Sequence, residues 1–445
     1  MSELRYIVRH AGTVLVGQWA VMAYGVVDTI VAGRYSAQAL AALSVGSAVF
    51  ITVFVAFMGL LSALLPAWAE LHGARRNEAL GASVRQSLYL ALFGGIVGAA
   101  ALLFPGPLLA WTEVPEALQE DVRSYLAILT LALPPALLVR MYGTLNQSLG
   151  KPRLVTWLQI VSLGVKIPLT IWFAFGGLGL PAMGAAGCAW ATVAVNWLFV
   201  GTALWLIRTQ PLYAPYAIWR RIERPDWRVL REFARVGIPS GLSIVVEVTS
   251  FTLMALFIAR QGTLAAAAHQ ITANFAALMF MVPLSIGIAT SARTSYWLGA
   301  GDPKLARRTV RTGLKLGIGL AATMCLGLYI GRHAIASVYS AQPAVVALAS
   351  SLLAWLALYH LGDALQGMIV FILRCYRVAI APLLVYCVLL WGVGLGGGVM
   401  LAYRGVGPWP AQNSPAAFWI AASAALAVAS LILSAILWRA VRRHR

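Results

Sequence analysis

Residues 40–66 have the sequence LAALSVGSAVFITVFVAFMGLLSALLP, a run without a charged side chain. A helix of about 20 apolar residues crosses the ~30 Å hydrocarbon core of a bilayer, so this stretch predicts a membrane-spanning helix. The chain of 445 residues is apolar throughout: 61% of its residues are hydrophobic and only 11% are charged. Because soluble domains carry about 25% charged residues, the composition excludes a soluble protein and predicts a polytopic membrane protein.

Twelve apolar segments of spanning length follow one another, and we predict an all-α protein with twelve transmembrane helices. If the N-terminus is cytoplasmic, 25 of the 33 Lys and Arg residues fall in inner segments and five in outer segments. Since cytoplasmic loops are enriched in Lys and Arg, this asymmetry predicts that both termini are cytoplasmic. We expect the chain to lie in a bacterial inner membrane. The spans run over roughly 12–33, 40–66, 86–110, 124–148, 154–175, 184–206, 237–259, 264–297, 310–331, 345–373, 380–402 and 416–438.

An internal repeat divides the chain into two halves. Shifted by 226 residues, the stretch 34–85 aligns without a gap with 260–311, so that Arg34 meets Arg260. Each half has six spans, an even number, so the repeats share one orientation. This predicts two six-helix lobes related by a pseudo-two-fold axis along the membrane normal. We expect an N-terminal lobe over 1–206, a cytoplasmic linker with an interfacial amphipathic helix over 207–236, and a C-terminal lobe over 237–445.

Charge and cysteine content exclude other classes of protein. The net charge of +19 comes mostly from arginines that lie between apolar runs, so we expect no nucleic-acid partner. The four cysteines lie in or beside apolar segments and form no CxxC motif, so we expect neither structural disulfides nor a zinc site. No nucleophile motif or phosphate loop occurs. We therefore expect neither an enzyme nor a bound cofactor.

Three acidic residues lie deep in the spans, and they are the first candidates for function. Asp28, Glu247 and Asp363 fall in the first, seventh and tenth spans, where a charge costs about 2.5–3.5 kcal/mol. Under the repeat, Asp28 and Glu247 have apolar counterparts, so each half has an acidic site of its own. Glu247 and Asp363 belong to the same half and can converge. We expect carriers of a proton or cation, or counter-ions for a cationic substrate; a structural carboxyl is the alternative.

Lys166 stands in the middle of the fifth span, followed two residues later by Pro168. We hypothesise that Lys166 pairs with Asp28, where a buried lysine could readily shift its pKa. A lysine whose side chain snorkels to the interface is the alternative.

His360 lies one turn before Asp363 and can share its helix face. Either His360 tunes or relays the proton of Asp363, or it is an interior histidine whose ring nitrogens have hydrogen-bond partners. Arg140 and Arg293 are the remaining basic residues inside spans, and we favour a snorkelling side chain for Arg293.

Four stretches, taken in order, resemble the MATE (multidrug and toxic compound extrusion) transporters, closest to the NorM-like branch. GQWAVMAYGVVDTIVAG resembles that family's first helix, GIPSGLSIVVEVTSF its seventh helix, and GDALQGMIVFILRCYR its tenth. The fourth stretch, 267–307, resembles the eighth helix and the loop that follows it. The resemblance implies a cation-coupled exporter of bulky cationic and amphipathic organic compounds, working by alternating access of two lobes. We expect a monomer in the lipid bilayer.

The resemblance also implies roles for individual residues. Asp28, Glu247 and Asp363 match the acidic residues of these motifs, and Tyr359 falls where relatives often carry a site tyrosine. Gln18, in the first-helix motif, completes this set of candidates.

The fifth span departs from the family pattern. Relatives commonly show N-I-P-x-N there, whose asparagines help to bind a cation near the first-lobe acid, whereas this chain has K-I-P-L-T, from Lys166 to Thr170. We infer that the first lobe does not bind Na⁺ in the family manner. Either Lys166 acts as a tethered cation, or Lys166 and Asp28 exchange protons.

We therefore predict a multidrug antiporter that is driven by protons, with Na⁺ at Glu247 and Asp363 as the alternative coupling ion. A lipid-linked oligosaccharide flippase of the same superfamily is the second hypothesis. Such a flippase would use arginines such as Arg293 and Arg140 to hold phosphate.

Overall fold

The computed structural model describes residues 2–106, 116–177, 179–220, 222–408 and 410–443. It confirms the all-α fold, since the described residues form twelve segments long and apolar enough to cross a membrane. The second span consists of two helices, α2 and α3. The helices are α1 (Glu3–Tyr35), α2 (Ala37–Ser62), α3 (Leu64–Gly73), α4 (Asn77–Leu103), α5 (Glu116–Ser148), α6 (Arg153–Phe175), α7 (Ala185–Thr209), α8 (Trp227–Ala259), α9 (Thr263–Gly299), α10 (Pro303–Tyr339), α11 (Pro343–Cys375), α12 (Ile380–Arg404) and α13 (Ala416–Arg443).

Helix boundaries follow from local chemistry. Ser36 caps α2, because its hydroxyl accepts a hydrogen bond from the Ala39 amide at 3.0 Å. Asp302 caps α10 in the same way through the Leu305 amide, and Pro303 follows at the first helical position. The break between α2 and α3 precedes Pro66, which has no amide hydrogen to donate to the preceding turn.

The helices form two compact units. The first unit comprises residues 13–237, and the second comprises residues 1–12 together with 238–445. These boundaries differ from the predicted ones at two places. The predicted linker groups with the first unit, and the first twelve residues group with the second, so that α1 begins in one unit and continues in the other.

Each unit is arranged around one helix. In the first unit α5 packs against α2, α4 and α7, and in the second α11 packs against α9, α10 and α13. Both central helices are the fourth span of their half. Small residues allow close approach: Gly46 of α2 faces Tyr125 of α5, and Gly287 of α9 faces Met368 of α11.

The predicted linker is firmly anchored to the first unit. Buried Tyr213, in a 3-10 turn, donates a hydrogen bond to Asn146 of α5 at 2.8 Å. Arg85 of α4 donates to the carbonyl oxygen of Ala217 at 2.7 Å and forms an ion pair with Glu223. The Arg85 guanidinium holds the pKa of the Glu223 carboxyl below its usual value. The predicted amphipathic segment is the start of α8, which begins at Trp227, ten residues before the predicted span.

A second ion pair anchors the start of α1 to the second unit. Both carboxylate oxygens of Glu3 accept from Arg293 of α9, at 2.9 and 3.0 Å, and Thr309 donates to the same carboxylate at 3.0 Å. The guanidinium carbon of Arg293 lies 4.4 Å from the ring centres of both Tyr6 and Trp297. The favoured interpretation of Arg293 as a snorkelling side chain named no partner, whereas the structure gives it a bidentate carboxylate within the protein.

Replacing Glu3 with Gln should destabilise the protein, because Arg293 would keep its charge in largely buried surroundings. Removing one partner of a buried ion pair costs about 3 kcal/mol. Glu78→Gln is the matched control, since the Glu78 and Arg220 side chains are 80% and 64% exposed and their pair contributes at most about 1 kcal/mol. Thermal unfolding of both variants in one detergent tests this. Equal midpoints for the two variants would contradict the anchoring role of Glu3.

Candidate functional site

The first unit brings three predicted residues together around one carboxylate. Asp28 comes from α1, and Lys166 and Thr170 come from α6. The Lys166 ammonium lies 3.0 Å from Asp28 Oδ1, and the Thr170 hydroxyl donates to the same oxygen at 3.4 Å. Thr192 of α7 accepts a further hydrogen bond from Lys166 Nζ at 2.7 Å. The hypothesised pairing of Lys166 with Asp28 is thus present in the structure.

Burial makes this ion pair a part of the protein interior. Lys166 is 1% exposed, Asp28 is 8% exposed and Thr170 is fully buried. The snorkelling alternative for Lys166 is therefore wrong, because its ammonium does not reach the surface. The Tyr24 ring centre lies 6.0 Å from Lys166 Nζ. The Asp28 carboxylate is consequently neutralised by a cation that is covalently part of the chain.

The second unit brings Glu247 and Asp363 together through a residue that the sequence analysis did not select. Gln366, on α11 with Asp363, is fully buried. Its side-chain nitrogen donates one hydrogen bond to Glu247 Oε1 of α8 and one to Asp363 Oδ1, each at 3.2 Å. The two carboxyl groups therefore share one amide group between them.

The electrostatics of the second site differ from those of the first. Within the described ranges, neither Glu247 nor Asp363 has a Lys or Arg nitrogen within 4.0 Å. Arg374, nearer the end of α11, acts on Glu247 only through a longer electrostatic interaction. This site thus holds two acidic groups and a neutral amide, whereas the first site holds one acid and its own cation.

Tyr359 and His360 lie on α11 before Asp363 but contribute little to the pair. The Tyr359 ring packs edge-on against Trp419 at 5.3 Å, and the side chain is half-buried. His360 is 1% exposed, and its Nε2 has no hydrogen-bond partner among the described residues. It forms no ion pair with Asp363, although the two residues are three positions apart. The relay or tuning role of His360 therefore stays a prediction.

Gln18 is not brought to the Asp28 site of its own unit. It is half-buried on α1, ten positions before Asp28. At a rise of 1.5 Å per residue, this spacing corresponds to about 15 Å along the helix axis.

Sequence reasoning missed Gln366 and Thr192 for different reasons. Gln366 carried a usable signal, because an amide three residues after an intramembrane aspartate can reach the same helix face. Thr192 carried none, since an isolated threonine in a span usually bonds its own helix. Thr192 does so as well, donating to the Cys188 carbonyl oxygen at 3.0 Å.

Twelve spanning helices in two units, with buried ionisable side chains assembled from separate helices, define a multi-pass membrane transporter. The chain belongs to the MatE family, whose family model matches residues 14–172 and 239–400. This family is a family of transporters.

Similar proteins cover nearly the whole chain. A protein named "Probable multidrug resistance protein NorM" from Aromatoleum aromaticum is 38% identical, over 98% of this chain and 94% of its own length. Multidrug resistance protein PmpM of Pseudomonas aeruginosa is 33% identical, over 99% of this chain and 92% of its own.

Solved structures share the fold at low sequence identity. The eukaryotic MATE transporter AtDTX14 matches with a TM-score of 0.88 at 21% identity, covering 100% of this chain and 98% of its own. The Vibrio cholerae MATE transporter VcmN in the bent form matches with a TM-score of 0.87 at 17% identity, with the same coverage.

Lys166→Met should destabilise the protein by about 3–5 kcal/mol, because it leaves the Asp28 carboxylate buried without a counter-ion. The double variant Asp28→Asn/Lys166→Met should recover most of this loss, since it leaves no uncompensated charge. Thermal unfolding of the two single variants and the double variant measures the coupling. Additive losses in the double variant would show that the pair has no energetic connection.

Proposed function

We propose that this protein exports cationic and amphipathic organic compounds across the membrane in exchange for protons. Support for the class of substrate comes from the relatives, which are named multidrug resistance proteins and match over nearly their full length. Support for a coupling ion comes from the second unit, where Glu247 and Asp363 share the Gln366 amide without a cation of their own.

The Glu247–Asp363 pair is suited to taking up positive charge. Two carboxylates separated by one amide repel each other strongly in low-dielectric surroundings. Any cation that joins them relieves this repulsion. The first unit has no such capacity, because Lys166 already neutralises Asp28. The single observation that carries the proposal is this difference between the two sites.

A proton fits the second site better than Na⁺ does. Hard metal cations take several oxygen ligands, but Gln366 turns its donor nitrogen towards the carboxyls. A proton needs only one carboxyl oxygen and leaves the amide in place.

Exchange follows from competition for the same negative charge. When one proton occupies the Glu247–Asp363 pair, the pair loses attraction for a cationic compound. Loss of that proton on the other side of the membrane restores the attraction. Proton entry and drug exit are thereby linked through one site.

The flippase hypothesis requires arginines that can hold phosphate, and one of its two candidates is already paired. Arg293 is held by Glu3 in a bidentate ion pair, so only Arg140 would be left to bind a lipid phosphate. We therefore favour drug export.

Glu247→Gln and Asp363→Asn should each slow proton-driven ethidium transport at least tenfold, because each removes one of the groups that compete for proton and dye. The measurement uses proteoliposomes with an imposed pH gradient and no Na⁺. Glu78→Gln, which neutralises an exposed carboxylate, is the control and should transport normally. Normal transport by both site variants at full expression would refute the mechanism. Transport by the unmutated protein that requires a Na⁺ gradient would reassign the pair to sodium.

Lys166→Asn should change the ion dependence of transport, because it removes the built-in cation and creates an amide where relatives commonly have asparagine. We expect proton-driven dye transport that is lost or becomes sensitive to Na⁺. Lys151→Asn, at an exposed position outside the spans, is the matched control. Transport by Lys166→Asn with unchanged rate and no response to Na⁺ would exclude the tethered-cation role.

A further inference from the structure

A cleft in the first unit has no part in the transport mechanism described above. It has a volume of about 420 Å³ and is lined by the last residues of α7, the 3-10 turn Pro211–Tyr216 and the chain that continues to Arg220. Among the described residues that line it, Arg208 and Arg220 are basic and none is acidic. The guanidinium carbon of Arg208 lies 5.7 Å from the ring centre of Trp219, which also lines the cleft.

The cleft lies at a membrane surface. The span α7 ends at Thr209 and the span α8 begins at Trp227, so the segment between them connects two helix ends on the same face. Trp205, Trp219 and Trp227 are 61%, 49% and 77% exposed. Indole side chains are enriched where headgroups meet the hydrocarbon region. A ligand in this cleft would therefore have its polar part beside the arginines and apolar surface within reach.

The walls of the cleft are already ordered. Arg85 holds the Ala217 carbonyl oxygen and the Glu223 carboxylate, and Tyr213 is held by Asn146. A ligand would therefore not have to pay for ordering this segment.

Two carboxylates near the cleft, those of Glu223 and Glu78, interact with its lining residue Arg220. The Glu223 carboxylate forms its ion pair with Arg85, which holds the pKa of Glu223 below the usual value, and Arg220 adds only a weaker electrostatic interaction. Glu78 contacts Arg220 at 3.5 Å, but both side chains are largely exposed, so this pair is weak and a phosphate group can replace it.

We propose that this cleft binds the phosphate headgroup of an anionic phospholipid. Guanidinium groups match phosphate oxygens in charge and in planar geometry. Its volume lies in the range of small-molecule sites, about 300–1,000 Å³. Free phosphate shares the recognised chemistry, but the exposed indoles at the same level favour a headgroup that carries acyl chains.

Native mass spectrometry of the purified protein in detergent tests the site with three probes: dihexanoyl phosphatidylglycerol, dihexanoyl phosphatidylcholine and inorganic phosphate. The variant Arg208→Gln/Arg220→Gln should bind phosphatidylglycerol about 10–30-fold more weakly than the unmutated protein, because each basic residue contributes about fivefold near an anionic lipid. Phosphatidylcholine should not compete with phosphatidylglycerol.

Arg442→Gln is the matched control. The Arg442 guanidinium stacks on Trp438 at 3.5 Å, an arginine–indole contact similar to that of Arg208, but it does not line the cleft. This variant should retain full affinity for phosphatidylglycerol.

Three results would overturn the proposal. These are unchanged affinity in the double variant, equal losses in the double variant and in Arg442→Gln, and displacement of phosphatidylglycerol by equimolar inorganic phosphate. If the double variant does not fold, Trp219→Leu replaces it and keeps both arginines. It should weaken phosphatidylglycerol binding, and unchanged affinity would again count against the site.

Discussion

A charge within the hydrocarbon region must find its partner inside the protein, and each unit contains an ion pair that meets this constraint. Lys166 and Asp28 come from α6 and α1 and neutralise each other at 3.0 Å. Arg293 of α9 neutralises Glu3 at the start of α1. Each pair joins segments that are distant in sequence. The penalty for leaving either charge alone in low dielectric is several kcal/mol, so each pair also selects one arrangement of its helices.

The same constraint makes the unpaired acids of the second unit informative. Asp363 is buried and Glu247 is half-buried near it, with no Lys or Arg of the described chain in contact, and the Gln366 amide donates to one oxygen of each. Such an arrangement is costly unless a mobile cation completes it for part of the time. In a chain built from a repeat, this asymmetry is chemically useful. One unit has a built-in cation, and we propose that the other takes up an exchangeable one.

Polar contacts also hold the segment between α7 and α8, which lies outside the spans. The segment between α7 and α8 buries Tyr213 and Tyr216 in the core of the first unit. Arg85, Asn146 and Gln86 also hold it through hydrogen bonds and an ion pair. The anchored segment presents Arg208, Arg220 and Trp219 in a defined cleft.

The sequence by itself determined the number of spans and their order, because hydropathy is a local property of about 20 residues. It also determined which charges lie in the membrane, and it indicated that Lys166 requires an acid such as Asp28. Two outcomes were decided only by tertiary structure: the amide of Gln366 between Glu247 and Asp363, and the attachment of residues 1–12 to the second unit through Arg293. Both depend on how each helix is rotated and which helix lies beside it. Hydropathy contains neither quantity, since an apolar span has a similar profile whichever face it turns inward.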